Sequence, residues 1–367
     1  MERSPGFAAV AAPDGPFGKA RSMVFPRVVL AGHGVLDELG RTCRGFDFTG
    51  RGVIVTGART AKLAGERAQR ILRDSGFECD LVLSGEATLD EVDRVEAATA
   101  AAQARFLVAV GGGSKIDITK VVAARRKVPF VSVPTSAAHD GISSPRASLH
   151  GTRRAMSIEA VVPIGILADT QIIVQAPFRL LASGCADVLS NVTAVLDWKL
   201  ASRLRNEEYS STGAALAEYA AQEIADHAAL IKPNLEESVW IAIRPMIMAG
   251  ISMSVAGSSR PCSGSEHLFS HALDRLGAPA GLHGEQCGVG AIMMMYLHGG
   301  DWRRLRSLLH TIGAPTTARE LGAAPEDVVR ALVEAHTLRP ERYTILGDNG
   351  LNRDAAERLA TVTGVIG

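Results

Sequence analysis

Phe106-Leu-Val-Ala-Val110 runs without a break into Gly111-Gly-Gly-Ser-Lys-Ile-Asp117, and the reading of this stretch decides the fold. Five apolar residues ahead of three glycines read as a strand buried on both faces, and the residues that follow, Lys120 included, read as the start of a helix. Strand, glycine turn and helix start in succession make a junction that can bind phosphate. Residues without side chains let the backbone approach a pyrophosphate, and the free N–H groups and dipole at the helix start favour negative charge. The same junction also serves as a tight turn with no ligand.

Outward from this junction the pattern repeats. Val28 to Ala31, Val53 to Thr56, Leu81 to Leu83, Phe130 to Val133 and Ile164 to Ala168 are short apolar runs, separated by helical stretches at roughly 60–75, 88–104 and 115–125. Gly57, Gly76 and Gly85 punctuate the joins. After a loose extension over residues 1–22, residues 23–176 are therefore expected to form an α/β domain with a mostly parallel, Rossmann-like sheet. Within it, Ser148-Leu149, His150-Gly151 and Ala155 to Ile158 predict a small hairpin before the last strand. From Pro177 onward apolar residues recur at helical spacing, so residues 177–367 are expected to form an all-helical domain.

The GxGxxG fingerprint is missing, because the first two runs end in Ala31-Gly-His-Gly34 and Thr56-Gly-Ala-Arg59. That argues against a standard Rossmann dehydrogenase and moves the phosphate loop to the fourth strand. No acidic residue follows the second run to select NAD through its ribose hydroxyls, and Arg59 reads equally as an acceptor of a 2′-phosphate or as a solvated helix-start residue, so use of either NAD or NADP is expected.

Composition narrows the class of partner. Lys+Arg and Asp+Glu are both 39, so nothing points to nucleic acid or an anionic membrane, and a small-molecule partner is the expectation. Cys43, Cys79, Cys185, Cys262 and Cys287 form no CxxC pair and read as reduced thiols of a cytoplasmic protein. Glu2, Arg3, Pro5 and Asp14 break up the N-terminus, which lacks the apolar core of a signal peptide. The run Val239 to Gly257 is interrupted by Arg244 and Pro245 and reads as a buried helix, so no membrane span is expected.

Two further segments carry chemistry. Pro134-Thr-Ser-Ala-Ala-His-Asp-Gly-Ile-Ser-Ser-Pro145 follows the fifth strand, and its hydroxyls, His139 and Asp140 suit either ligand contact or local turn capping. Ser265-Glu-His-Leu-Phe-Ser-His271 puts His267 and His271 one helical turn apart on one face, without the in-motif carboxylate of HExxH proteases. His283 precedes an apolar helix, and Asp187 stands near the start of the first helix of the second half. One carboxylate and two imidazoles are a common catalytic metal set that leaves a coordination position open. Asp187 fits a helix N-cap equally well, and Cys185, Cys262 and Cys287 lie close enough in sequence to compete for a metal.

Taken in order, five motifs resemble the glycerol-1-phosphate dehydrogenases. They are Gly-Gly-Gly-Ser-x-Ile-Asp-x-x-Lys ending at Lys120, Pro-Thr-x-x-x-His-Asp-Gly-x-x-Ser-Pro ending at Pro145, and Asp187 followed by Asp197-Trp198-Lys199. Arg260-Pro-x-Ser-Gly-Ser-Glu-His267-x-x-x-His271 and His283-Gly-Glu-Gln complete the set. That family shares a superfamily with iron-type alcohol dehydrogenases, glycerol dehydrogenases and dehydroquinate synthases. The resemblance runs from about residue 25 to residue 300; beyond it only helical character agrees.

The resemblance implies a dehydroquinate synthase-like fold with the active site between its two domains. It implies cofactor contact at Gly111, Gly112, Gly113, Ser114, Lys115, Ile116 and Asp117, with Gly113 to Asp117 at the NAD(P) pyrophosphate. Thr135, Ser136, Ala137, Ala138 and Ser144 would line the nicotinamide side. Asp187, His267 and His283 match the family's zinc ligands, with Fe2+ or another divalent ion as alternatives. Asp140, Asp187 and His271 would meet the substrate, and His271 or a water linked to Asp140 would relay the proton. Ala186, often glycine in relatives, and Ala137-Ala138, where a hydroxyl is frequent, depart from the pattern. The implied activity is reversible, metal-dependent reduction of dihydroxyacetone phosphate to sn-glycerol 1-phosphate by a homo-oligomer, with Arg260 and His139 as candidate partners of the substrate phosphate. The alternatives are a polyol or secondary alcohol dehydrogenase, a sugar-phosphate cyclase resembling dehydroquinate synthase, in which Glu usually stands at the position of Asp187, and a non-catalytic nucleotide-binding relative.

Overall fold

The structure, a computed structural model, describes residues 22–150, 155–278 and 280–367. Residues 1–21 of the expected extension and Gly151 of the expected hairpin turn lie outside the described residues.

Six strands form one parallel sheet: β1 (Val28–Gly32), β2 (Gly52–Thr56), β3 (Cys79–Leu83), β4 (Phe106–Gly111), β5 (Phe130–Pro134) and β8 (Gly165–Asp169). Their spatial order is β1-β8-β5-β4-β2-β3. β6 (Arg146–His150) and β7 (Ala155–Glu159) are the expected hairpin, antiparallel, with Ala147 opposite Ile158. Helices α1 (Leu39–Gly45), α2 (Glu66–Asp74), α3 (Leu89–Ala101) and α4 (Gly113–Arg126) cover the sheet.

Successive residues of a strand point to opposite faces. Val53, Val55, Leu107 and Ala109 therefore enter the core shared with the helical half, while Ile54, Phe106, Val108 and Val110 pack with Leu72 and Phe77 on the other face. Both faces are buried, as a parallel sheet requires. The helix expected over roughly 60–75 opens instead as a short turn followed by a π-helical segment, Ala61–Gly65, with Gly65 against the Thr56 side chain.

The chain leaves β2 toward β3 at one edge and leaves β4 toward β5 on the other side. Connections that part in this way open a crevice beyond the carboxyl ends of the strands, where open α/β sheets bind ligands.

From Phe178 on, the chain is helical: α5 (Phe178–Arg205), α6 (Ser211–His227), α7 (Glu236–Ala256), α8 (Ser265–Leu276) and α9 (His283–Leu297), followed by α10 (Trp302–Thr311), α11 (Pro325–Glu334) and α12 (Arg353–Val362). α5 and α7 are long and apolar enough to cross a membrane, but 83% and 78% of their most apolar windows are buried inside the protein, as core helices are. Two glycines bring the parts together. A Cβ on Gly184 of α5 would stand 2.3 Å from the Ala137 carbonyl oxygen, and one on Gly284 of α9 would stand 2.0 Å from that of Ser183. α5 thus lies directly against both the loop after β5 and the start of α9.

Candidate metal centre and its cleft

Asp187 on α5, His267 in the first turn of α8 and His283 at the first position of α9 converge on one point. Asp187 Oδ1 stands 3.7 Å from His267 Nε2 and 3.9 Å from His283 Nε2. The N-cap alternative for Asp187 is corrected: α5 opens at Phe178, after Pro177, so Asp187 lies well inside the helix. It stands there because the helix starts about two turns earlier than the sequence suggested, immediately behind the proline.

Asp187 Oδ2 accepts the Asp140 N–H at 3.2 Å, but the buried Oδ1 has no hydrogen-bond partner. A buried oxygen left this way is costly unless something absent from the chain satisfies it. The hydrogen bonds behind the histidines point to a cation. His267 Nδ1 lies 2.9 Å from Glu266 Oε1, which also accepts the Gly264 N–H, so Nδ1 carries the proton. Ser270 donates its hydroxyl hydrogen to Gln286 Oε1 at 2.6 Å, leaving its oxygen to accept from His283 Nδ1 at 3.1 Å. Both Nε2 atoms are then bare lone pairs beside Asp187 Oδ1, the arrangement in which an outer hydrogen bond fixes the tautomer of a metal-binding imidazole. An ion bonded at about 2 Å to two such nitrogens and one carboxylate oxygen holds them on the order of 3–4 Å apart.

Burial pushes His267 and His271 well below the ordinary histidine range and lowers His283 as well, which leaves neutral imidazoles able to bind metal. Burial, and then the charge of Asp187, push the Asp140 carboxyl up; burial does the same to Asp187. A bound cation reverses that balance.

Cys287, one turn after His283 on α9, has its sulfur 3.7 Å from His283 Nε2. Asp187, His267, His283 and Cys287 offer ligand atoms all within 4.8 Å of one another. Neither Cys185 nor Cys262 joins that group among the described residues; the Cys262 thiol is engaged with the Ala249 carbonyl at 3.2 Å. His271 stays outside the group as well. Its ring centroid is 6.0 Å from that of His283 and 6.4 Å from that of His267, and its buried Nδ1 has no partner.

On the sheet side, Gly112 is the N-cap of α4 and brings no capping side chain, so the first N–H groups of α4 stay available to a ligand. Side chains cannot be added here. A Cβ on Gly111 would lie 2.4 Å from Lys115 Cγ, and one on Gly113 would lie 1.9 Å from His139 Nε2. Lys115 reaches across the crevice to donate to the Gly85 carbonyl, and Ser114 is exposed. Thr135, Ser136 and Ala137 are buried in the neighbouring loop, next to half-buried Ala138.

Ile116, Asp117 and Ser144 sit deeper. Ile116 is a core residue, and Asp117 is held by Lys120 Nζ at 3.2 Å and the Ser148 N–H at 3.1 Å. Lys120 also donates to Ser144 Oγ at 3.3 Å and to the Arg146 and Gly141 carbonyls, tying α4 to the loop after β5. Arg59 is exposed.

His139 can meet an anion only as a neutral N–H donor. Its Nδ1 accepts the Gly141 N–H at 2.9 Å, and burial pushes its imidazole down to about 4, so it is neutral near pH 7. Arg260 is already committed through Nε and Nη2 to Glu207. Two cations that sequence reading missed stand nearby, Arg339 and Arg342; their charges add to the depression of both His267 and His271. No periodicity or motif set them apart from solvated surface charge.

Comparison with known proteins identifies the family and the fold. A family model described as iron-containing alcohol dehydrogenase matches residues 30–177. A glycerol-1-phosphate dehydrogenase of Methanothermobacter thermautotrophicus, by name NAD(P)+-dependent, is 53% identical over 346 residues, covering 94% of this chain and 99% of the relative. One of the same name from Methanosarcina mazei is 51% identical over 95% of this chain and 97% of its own. Among solved structures, a glycerol dehydrogenase from Schizosaccharomyces pombe superposes with a TM-score of 0.78 at 19% identity, over 94% of this chain and 90% of its own. A probable glycerol dehydrogenase from Sinorhizobium meliloti does so at 0.79 and 20% identity, over 95% of this chain and all of its own.

Proposed function

We propose, from the premise that the chain belongs to the glycerol-1-phosphate dehydrogenase family, that it is a metal- and NAD(P)-dependent oxidoreductase interconverting dihydroxyacetone phosphate and sn-glycerol 1-phosphate. The observation that carries the reading is Asp187 Oδ1, buried and unpartnered, facing the bare Nε2 atoms of two histidines whose tautomers are fixed from behind.

When bound by Asp187, His267 and His283, a zinc or other divalent ion supplies a Lewis acid that draws charge onto the substrate oxygen; the nicotinamide supplies the hydride. The residues of the chain do the rest. The open amides of α4 anchor the pyrophosphate, and Thr135 to Ala138 form the wall that meets α5 at Gly184. The residues that would hold the cofactor and those that would hold the metal thereby meet at one backbone contact, Gly184 against Ala137. Asp140, linked to Asp187 through its own N–H, meets the substrate hydroxyls, and neutral His271 holds or passes the proton at Nδ1. Lys115 beside Gly57, with no acidic residue from Thr56 to Arg59, supports use of NADP as well as NAD.

Five free, buried cysteines support work in a reducing cytoplasm, and exposed Val29 on edge strand β1, with Met23, Val24 and Phe25, supports assembly into a homo-oligomer. Relatives of about half-identical sequence favour this reading over a polyol dehydrogenase or a cyclase.

The metal-loaded enzyme is expected to consume NADH or NADPH with dihydroxyacetone phosphate, to give one enantiomer of the product, and to stop after chelation. Absence of turnover with both nucleotides overturns the assignment.

A further inference from the structure

Arg260, Arg339 and Arg342 bring three positive charges to the loop that leads into α8; Glu207, Glu266 and Glu341 face them, but among the described residues only Glu207 forms an ion pair, with Arg260. Glu207 takes Arg260 through two of its nitrogens, with Nε to Oε1 at 2.6 Å. Arg342 has only neutral partners, the Ser263 carbonyl and Ser259 Oγ, the latter at 2.8 Å. Arg339 accepts the Arg342 N–H through its backbone carbonyl at 2.9 Å, but its half-buried side chain makes no hydrogen bond or ion pair among the described residues.

Guanidinium groups withdrawn from water without a counter-ion are unfavourable. Burial first, and then Arg339 and Arg260, push Arg342 down to about 9; burial and Arg146 lower Arg339. The excess charge is local, since the whole chain is formally neutral.

Its position relative to the metal centre is fixed. The 3-10 turn Ala335–Thr337, which leads into Arg339, packs on α8, the helix that carries His267 and His271. Ser263, which Arg342 holds by its carbonyl, lies four residues before His267. Ile345, three residues after Arg342, is tied by its N–H to Asp197 at 2.7 Å, and Asp197 also accepts the Ser265 N–H and hydroxyl at the start of α8. The arginine segment and the histidine helix are thus fastened to the same buried carboxylate.

We propose that Arg339 and Arg342 form the seat for a phosphate monoester on the substrate, with Arg260, held by Glu207 through Nε and Nη2 while its buried Nη1 has no partner, as a supporting charge. A dianion joined to the reacting carbonyl carbon through a single methylene completes this pair, and the fork of each guanidinium matches its oxygens. The proposal rests on the function given above and names the residues that set its preference for a phosphorylated ketone. It also separates this chain from dehydrogenases of neutral polyols, which have no anion to offer such a pair.

The test compares wild type with Arg339→Ala and Arg342→Lys on dihydroxyacetone phosphate and on dihydroxyacetone, with inorganic phosphate as a competitive probe. The ratio of kcat/KM for the phosphorylated over the plain ketone is expected to fall roughly 10- to 100-fold in each variant, chiefly through KM. Inhibition by inorganic phosphate should weaken in parallel, while metal content and NADH affinity establish that the variants are folded. Loss of turnover on both ketones by the same factor, or phosphate inhibition equal to wild type in Arg339→Ala, overturns the proposal. The Arg339 side chain carries no hydrogen bond or ion pair among the described residues, so that variant decides the matter if Arg342→Lys is unstable. A wild type inactive on dihydroxyacetone phosphate would instead defeat the functional assignment itself.

Discussion

The two sides of the cleft are built on opposite principles. At the end of β4 the chain offers backbone: Gly111, Gly112 and Gly113 leave bare amides, and side chains are kept out because His139 and Lys115 fill the space that a Cβ would need. In the helical half the chain offers side chains, three donors from three helices, each oriented by a partner behind it. The first site is specified by what is missing and needs one continuous segment. The second is specified by what is present and exists only once α5, α8 and α9 are packed.

The sharpest way to break this contrast is to remove one donor. Asp187→Ala is expected to abolish metal retention and reduce kcat on the order of 10³-fold while NADH still binds, read by elemental analysis and nucleotide fluorescence. The converse change is Gly113→Ala, whose Cβ must displace the His139 ring. NADH affinity should drop roughly 10- to 100-fold while metal content stays stoichiometric; if metal is lost as well, the two sides are not separable. Glu266→Gln sharpens the comparison without touching a ligand. Metal affinity should fall roughly 10- to 100-fold in competition with a chelator, because an outer carboxylate strengthens and orients its histidine.

The smallest effect concerns pH. His139 titrates near 4 when folded but near 6.5 when unfolded, so the unfolded chain takes up the proton first. Stability contributed by the neutral ring is present above about pH 6.5 and is lost as pH falls toward 4. Thermal unfolding followed over that window should be less steep in pH for His139→Asn, which keeps an acceptor for the Gly141 N–H.

The contrast also explains what could be read from the chain alone. Strands and the glycine junction were legible because their signals are local: apolar runs of five residues, then glycines. Resemblance named Asp187, His267 and His283, but spacing alone could not bring them together, since 80 residues separate the first two and the N-cap alternative for Asp187 fell only when α5 was seen to open at Phe178. The supporting layer of Glu266, Ser270 and Gln286 was invisible for the same reason. Arg339 and Arg342 gave no pattern at all: an arginine bound to a distant carbonyl looks in sequence like any solvated charge.

One consequence of the three-helix centre concerns how the molecule comes into being. Asp187 and His283 lie 96 positions apart, so no stretch emerging early from synthesis holds a complete set of donors. Closing a loop of that length is entropically expensive until the helices between have docked. An ion that binds the finished arrangement more tightly than the open chain would act as a latch on the native state, drawing the folding equilibrium toward it as its free concentration rises.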